Sequence, residues 1–437
     1  MKSRSMVAVA ATSLLGGLFG TLQLSGQTQS PNQNFQKYYV FNLGAPQGGN
    51  TEPVGINDLG WISGAANAAN NQTSEAELWV GSPMALGTLG GPNSAVEWPN
   101  HSTRGEIVGI AETAQANPLG EAWSCSAFFP TVTNQVCLGF AWQDGVMSAL
   151  PTLGGYDGYA AGVNDKGQVV GWAETAVHDS TCTAPQVLQF EAAIWGPRLN
   201  QITALKGYGT DPDSAATAIN DQGQVVGISG ICSVAVGGAS AEHAVIWENG
   251  VPTNMGNIGG QAWNTPVAIN NHGVVVGFAN TSGDQNAALS PTGFIWTKTG
   301  GMMEIPPAPG TGDENSIGFD INESGQVAGQ SYGPNGVRAL LYEKGASVDL
   351  NTLVTGGNLN LDLVLAQGIN DAGEISGTAV DSTTGLEVGF LAVPVFDGSG
   401  NPETELKLNS RPTVSLENIK KHLTGFSKIA LQNAGAK

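Results

Sequence analysis

The chain is short of charge, histidine and cysteine, and each shortage removes a class of function. Only 12% of its 437 residues are Asp, Glu, Lys or Arg, and 16 basic residues face 36 acidic ones, for a net charge of −20. Between Tyr38 and Val395 the count is 32 acidic against 7 basic, a net of −25. A body of that sign repels phosphate backbones, so no nucleic-acid partner is expected. Five histidines, none four residues from another, leave no helical metal-ligand pair. Four cysteines at 125, 137, 182 and 232 lack zinc-site spacing. Beyond Leu24 no apolar run is long enough to span a bilayer.

Glycine, in contrast, is plentiful at 62 residues, and 41% of the chain is apolar, which suits short strands and tight turns around a real core. The glycines recur in a phrase. In Ala218-Ile219-Asn220-Asp221-Gln222-Gly223-Gln224-Val225-Val226-Gly227 an apolar stretch enters Asn-Asp-x-Gly and another leaves it. Asn offers its side chain to the turn backbone, and glycine takes the left-handed conformation that a β-carbon resists. Flanked by apolar runs, the phrase is a hairpin. Copies start at Gly55, Gly162, Ala268, Asp320 and Gly368, and a worn copy, Ser102 to Gly109, fills the gap after the first. Seven copies, about 45 to 62 residues apart, match the size of a four-stranded propeller blade.

A second hairpin follows each phrase, and its first strand carries Trp79, Trp142, Trp195, Trp247, Trp296 or Tyr342, read as packing between blades. With the four strands named a to d, the array opens on a lone d strand, Tyr38 to Gly44, and ends on a c strand, Gly389 to Val393. Pairing those two closes a ring and leaves no bare edge. The expected fold is therefore all-β: a single seven-bladed β-propeller over residues 38–395, closed by its N-terminal strand. Small residues on the a strands place them innermost. The Asn-Asp-x-Gly and c–d turns then share one face, and the length-variable b–c loops share the other with the d–a loops. The variable face is the expected ligand face.

Residues 1–26, with a basic start and an apolar middle, read as a signal peptide, and 27–37 as a polar linker. The tail, 396–437, contains a short helix near 416–424. The expected location is secreted, periplasmic or cell-surface, with no transmembrane span once the signal is removed, and the expected state is monomeric. Four cysteines suit an oxidising compartment. Cys125 and Cys137 can close one long loop, and Cys182 and Cys232 can tie equivalent loops of successive repeats; three connectivities are open.

The Gly-Thr-Leu-Gly-Gly text at 87–91, the Ile-Asn-Asp-x-Gly-Gln-Val-Val-Gly hairpin and the Asn249-Gly250 turn after Trp247 together resemble the HAF-type extracellular repeat proteins of bacteria. The naming triplet is partly kept as His243-Ala244-Val245. The resemblance covers roughly Tyr38 to Val395. It implies an exported bacterial repeat protein and carries no catalytic residues.

Candidate ligand residues lie in the d–a loops: Tyr156, Asp157, Asp213, Trp263, Glu314 and Asp362. Ringing a channel mouth, the carboxylates would hold a cation such as calcium, or with Tyr156 and Trp263 grip a sugar. No cofactor, resident metal or catalytic residue is expected. Gly329-Gln330-Ser331-Tyr332-Gly333 matches a nucleophile motif, but it follows a b strand and Ser229 shares its repeat position. Asp397, Ser399, Asn401 and Glu403 alternate without the order of a calcium loop. The leading expectation is a binding, adhesion or scaffold module for an extracellular glycan or protein. The alternatives are a propeller enzyme using rim carboxylates on polysaccharide, and a purely structural envelope component.

Overall fold

Each copy of the phrase folds as the inner hairpin of a blade. The computed structural model describes residues 34–121, 125, 128–232, 241–282 and 291–395. The expected signal peptide, most of the linker and the tail with its helix lie outside the described residues. In blade 4 strand a (Asp213–Ile219) turns into b (Val225–Gly230), followed by c (His243–Glu248) and d (Val251–Asn254), side by side in that order. The Asn220 carboxamide oxygen accepts the N–H groups of Gln222 at 3.1 Å and Gln224 at 3.0 Å, while Gly223 has φ +79°.

The phrase's final glycine has a separate reason. A bulge in strand a brings a carbonyl against it, and a Cβ on Gly227 would lie 2.1 Å from the Ala215 oxygen. The same clash, at 1.9 to 2.2 Å, meets Gly64, Gly109, Gly171, Gly277, Gly329 and Gly377. No side chain fits at that distance, so the glycine is kept even in the worn copy.

Ring closure follows the sequence expectation. Tyr38–Gly44 pairs antiparallel with Glu387–Pro394, with Tyr39 opposite Val393 and Phe41 opposite Leu391. Blade 7 is thus Leu361–Ile369, Ile375–Asp381, Glu387–Pro394 and the N-terminal strand. A fifth strand, Val354–Gly357, runs parallel to Tyr38–Gly44 and covers its outer edge. It emerges from a one-turn 3₁₀ helix, Leu350–Leu353, capped by the Asp349 side chain. The repeat text carried no sign of this strand.

The five tryptophans at the repeated c-strand position are buried between blades, and Tyr342 is partly so. Trp195 and Trp247 also donate their indole N–H to the carbonyls of Pro151 (2.9 Å) and Lys206 (2.8 Å). The cysteines pair as Cys125–Cys137 and Cys182–Cys232. The first closes part of the blade 2 b–c loop (117–134), and the second joins the b–c loops of blades 3 and 4. Two disulfides fit an oxidising, extracellular environment. No described helix is long and apolar enough to cross a membrane.

Candidate functional site

The loop face and the turn face of the disc differ in chemistry. On the loop face, two d–a loop carboxylates, Asp157 and Asp213, point inward to the fold's own amides. Asp157 is fully buried and accepts the Cys137 N–H (2.9 Å) and the Asn117 side chain (2.8 Å), binding the blade 2 loop to blade 3. Burial, with the charge of Glu174 beside it, pushes its pKa up to about 8. Glu174 in turn accepts the N–H groups of Tyr156 and Asp157. Asp213, equally buried, accepts the Phe190 N–H at 3.0 Å. Burial and its hydrogen bond with the Asp179 carboxyl push Asp213 up to about 8.

The other expected ligand residues are dispersed. Trp263 is buried at φ +58°, its ring 6.2 Å from Phe278, inside an apolar cluster that draws on all seven blades. Glu314 is exposed, and Asp362 is half-buried near enough to act on the charge of Arg338. Tyr156 is exposed. The positions share a face, but burial separates the two blade-locking aspartates from the open residues. Ser331 donates its hydroxyl to Asp313 at 2.7 Å, as Ser229 does to Asp211 at 2.6 Å, so the nucleophile-like motif is a repeated structural contact.

This face also exposes apolar side chains. Leu119 and Val132 in the blade 2 loop, Tyr156 and Val177 in blade 3, and Tyr208 and Ile231 in blade 4 are all open to solvent. The loops beneath them are sewn together. The Glu121 carboxylate from blade 2 accepts the N–H groups of Val187 (2.8 Å) and Leu188 (2.6 Å) in blade 3. Thr181 of blade 3 accepts the Cys232 N–H of blade 4 at 3.0 Å, next to the disulfide that joins them. Thr131 reaches back to the Gln72 carbonyl of blade 1 at 2.9 Å.

The turn face is polar and centred on a pit of about 100 Å³. Around it the asparagines form a ladder: Asn164 donates to the Asn220 carbonyl, and each next blade repeats the bond through Asn270, Asn322 and Asn370 to Asn57. Outside that ladder each turn N–H meets the next blade's side chain, in the order Thr103, Asp165, Asp221, Asn271, Glu323, Asp371, Asp58.

Two residues break the repeat at the floor of the pit. His101 occupies the position of Val163, Ile219, Ile269, Ile321 and Ile369, and Asp320 that of Gly162, Ala218, Ala268 and Gly368. They meet across the axis, His101 Nε2 to Asp320 Oδ1 at 2.9 Å, and Asp320 also accepts the Ile369 N–H at 2.8 Å. Burial works to lower the imidazole pKa, but the charge and hydrogen bond of Asp320, with Asp58 and Asp371, raise it to about 9. An imidazolium held by a carboxylate at neutral pH is a strut and has no free lone pair to act as a base. By spacing along the chain His101 has no histidine partner. The available signal was a pair of departures at adjacent repeat positions in blades 2 and 6.

Residues 208–419 match a family described as "Protein of unknown function (DUF3466)", a little under half of the chain. No curated protein matches the sequence. Among solved structures the chain is similar to the propeller domain of the trilobed protease from Pyrococcus furiosus (9% identity, TM-score 0.45, covering 85% of this chain and 100% of that one). It is also similar to an oligogalacturonate lyase in complex with manganese (12%, 0.43, 83% and 95%) and to the Pyrococcus horikoshii acylaminoacyl peptidase (8%, 0.42, 78% and 50%). The chain spans about half the length of that peptidase. Likenesses at this level assign neither substrate nor reaction.

Proposed function

We propose that the protein is an exported binding module that docks an extracellular protein on the loop face of blades 2 to 4. The observation that carries this reading is the set Leu119, Val132, Tyr156, Val177, Tyr208 and Ile231, held open on loops that two disulfides and buried carboxylates fix in place. A rigid platform loses little entropy on association, and solvent-facing apolar groups supply the driving force. Four of the six side chains are aliphatic. That composition suits a protein surface better than a sugar, which needs flat rings and hydrogen-bond partners. The resemblance to extracellular repeat proteins supports the location. Asp157 and Asp213 are engaged by backbone amides out of solvent, which supports a non-enzymatic reading over rim-carboxylate chemistry.

The test is retention of purified protein on the envelope of the cells that produce it. Leu119→Ser, Val132→Ser, Val177→Ser and Ile231→Ser combined should cut retention more than tenfold without moving the melting temperature. Equal retention by the variant would sink the proposal. A glycan-array signal abolished by Tyr156→Ala would replace the protein partner with a sugar.

A further inference from the structure

We propose that blade 4 carries a site for a zinc-class divalent cation, formed by Asp211, Glu242 and His243 on the loop face. One imidazole nitrogen of His243 and one carboxylate oxygen from each acid lie within 4.8 Å of one another. Donors held about 2.1 Å from a single ion sit roughly 3–4 Å apart, so small side-chain rotations bring all three onto one centre. His243 Nδ1 is 2.8 Å from Asp211 Oδ2, which also accepts the Ser229 hydroxyl. The ring of Tyr208 packs against the imidazole at 5.3 Å and helps fix its plane.

Blade 6 provides an internal comparison. Ser331 stands opposite Arg338 in its ladder, as Ser229 stands opposite His243, and Asp313 takes the place of Asp211. There the aspartate is neutralised by a guanidinium through two bonds, of 2.7 and 3.1 Å. In blade 4 the permanent cation is replaced by an imidazole, a metal ligand when neutral, and buried Val337 is replaced by exposed Glu242. Blade 4 thus has two acids and a nitrogen donor where blade 6 has a closed ion pair. A mixed nitrogen and oxygen set favours zinc, nickel or copper over calcium or magnesium. The ion takes the place of the proton between His243 Nδ1 and Asp211, and the neutral ring then carries its single proton on Nε2. Because Glu242 is exposed, the remaining coordination position opens to water or to a donor from a bound molecule.

Calorimetric titration of the untagged, chelator-treated chain with zinc chloride tests the site. One ion per chain is expected, with affinity reduced at least tenfold by His243→Ala and by Glu242→Gln and unchanged by His272→Ala on the opposite face. Glu242 is on the surface, so its substitution separates ligation from folding. Absence of saturable zinc binding, or binding indifferent to both substitutions, overturns the proposal. The result does not depend on whether the loop face docks a protein.

Discussion

At the scale of single residues, the most informative positions are those where the repeat is broken. His101 and Asp320 replace an aliphatic and a small residue of the phrase, in blades nearly opposite each other across the axis. Replacing only the histidine leaves a fully buried carboxylate without its cation, so His101→Ile should cost about 3 kcal/mol, the lower end for a broken buried pair because the imidazole is partly exposed. The double variant His101→Ile, Asp320→Ala restores the repeat's own residues and should lie within about 1 kcal/mol of the parent. Urea denaturation of the double-mutant cycle checks both values. The histidine's folded pKa is raised from 6.5 to about 9, so its contribution is full below pH 6.5 and lost as pH rises through 9. The parent should therefore lose stability relative to the double variant across that range. The candidate ligand residues show the limit of single-position reading. Asp157 and Tyr156 are neighbours in sequence, yet one is buried and the other exposed, because the strand register is irregular between Gly154 and Gly158, where both N–H groups turn to the Glu174 carboxylate.

At the scale of the blade, the phrase contains two glycines with unlike duties. Gly223 supplies a left-handed turn with open space around it, whereas Gly227 lies under a carbonyl in contact range. Gly223→Ala should cost about 1–2 kcal/mol from backbone strain alone. Gly227→Ala should cost about 3 kcal/mol or more, since the strand pair must part to admit a methyl group. Denaturant midpoints of the two single variants test the order, and equal costs would refute the close-approach account. The turn's need for glycine was legible in the sequence. The second glycine was visible as a repeated letter, but its cause is a bulge, and bulges are set by pairing register.

At the scale of the whole molecule, closure and buried charge govern behaviour. Removing residues 34–44 deletes the outer strand of blade 7 and exposes both Glu387–Pro394 and Val354–Gly357 as bare edges. The truncated chain should lose its single cooperative melt and elute as aggregate on size exclusion, whereas removal of residues 1–33 should leave the melt intact. The buried carboxyls set the response to acid. Asp157, Asp213 and Glu387 have folded pKa values pushed by burial to about 8, against roughly 4 in the unfolded chain. The native state therefore holds more protons between pH 4 and 8, and stability falls as pH rises through that window. The melting temperature should be higher at pH 5 than at pH 9, by about 5 °C or more. A flat profile, or one rising with pH, would show that these groups are charged in the native state.

The sequence by itself determined the number of blades, the order of their strands, the pairing that seals the ring and the sorting of turns and loops onto two faces. Each of these follows from a local pattern repeated seven times, and local patterns need no knowledge of what lies across the axis. Only the tertiary structure decided which loop carboxylates are buried, that Trp263 faces the core, that an extra strand covers the closing edge, and that a histidine from blade 2 meets an aspartate from blade 6. Those outcomes depend on contacts between segments far apart in the chain, whose energies exist only once the ring has brought them together.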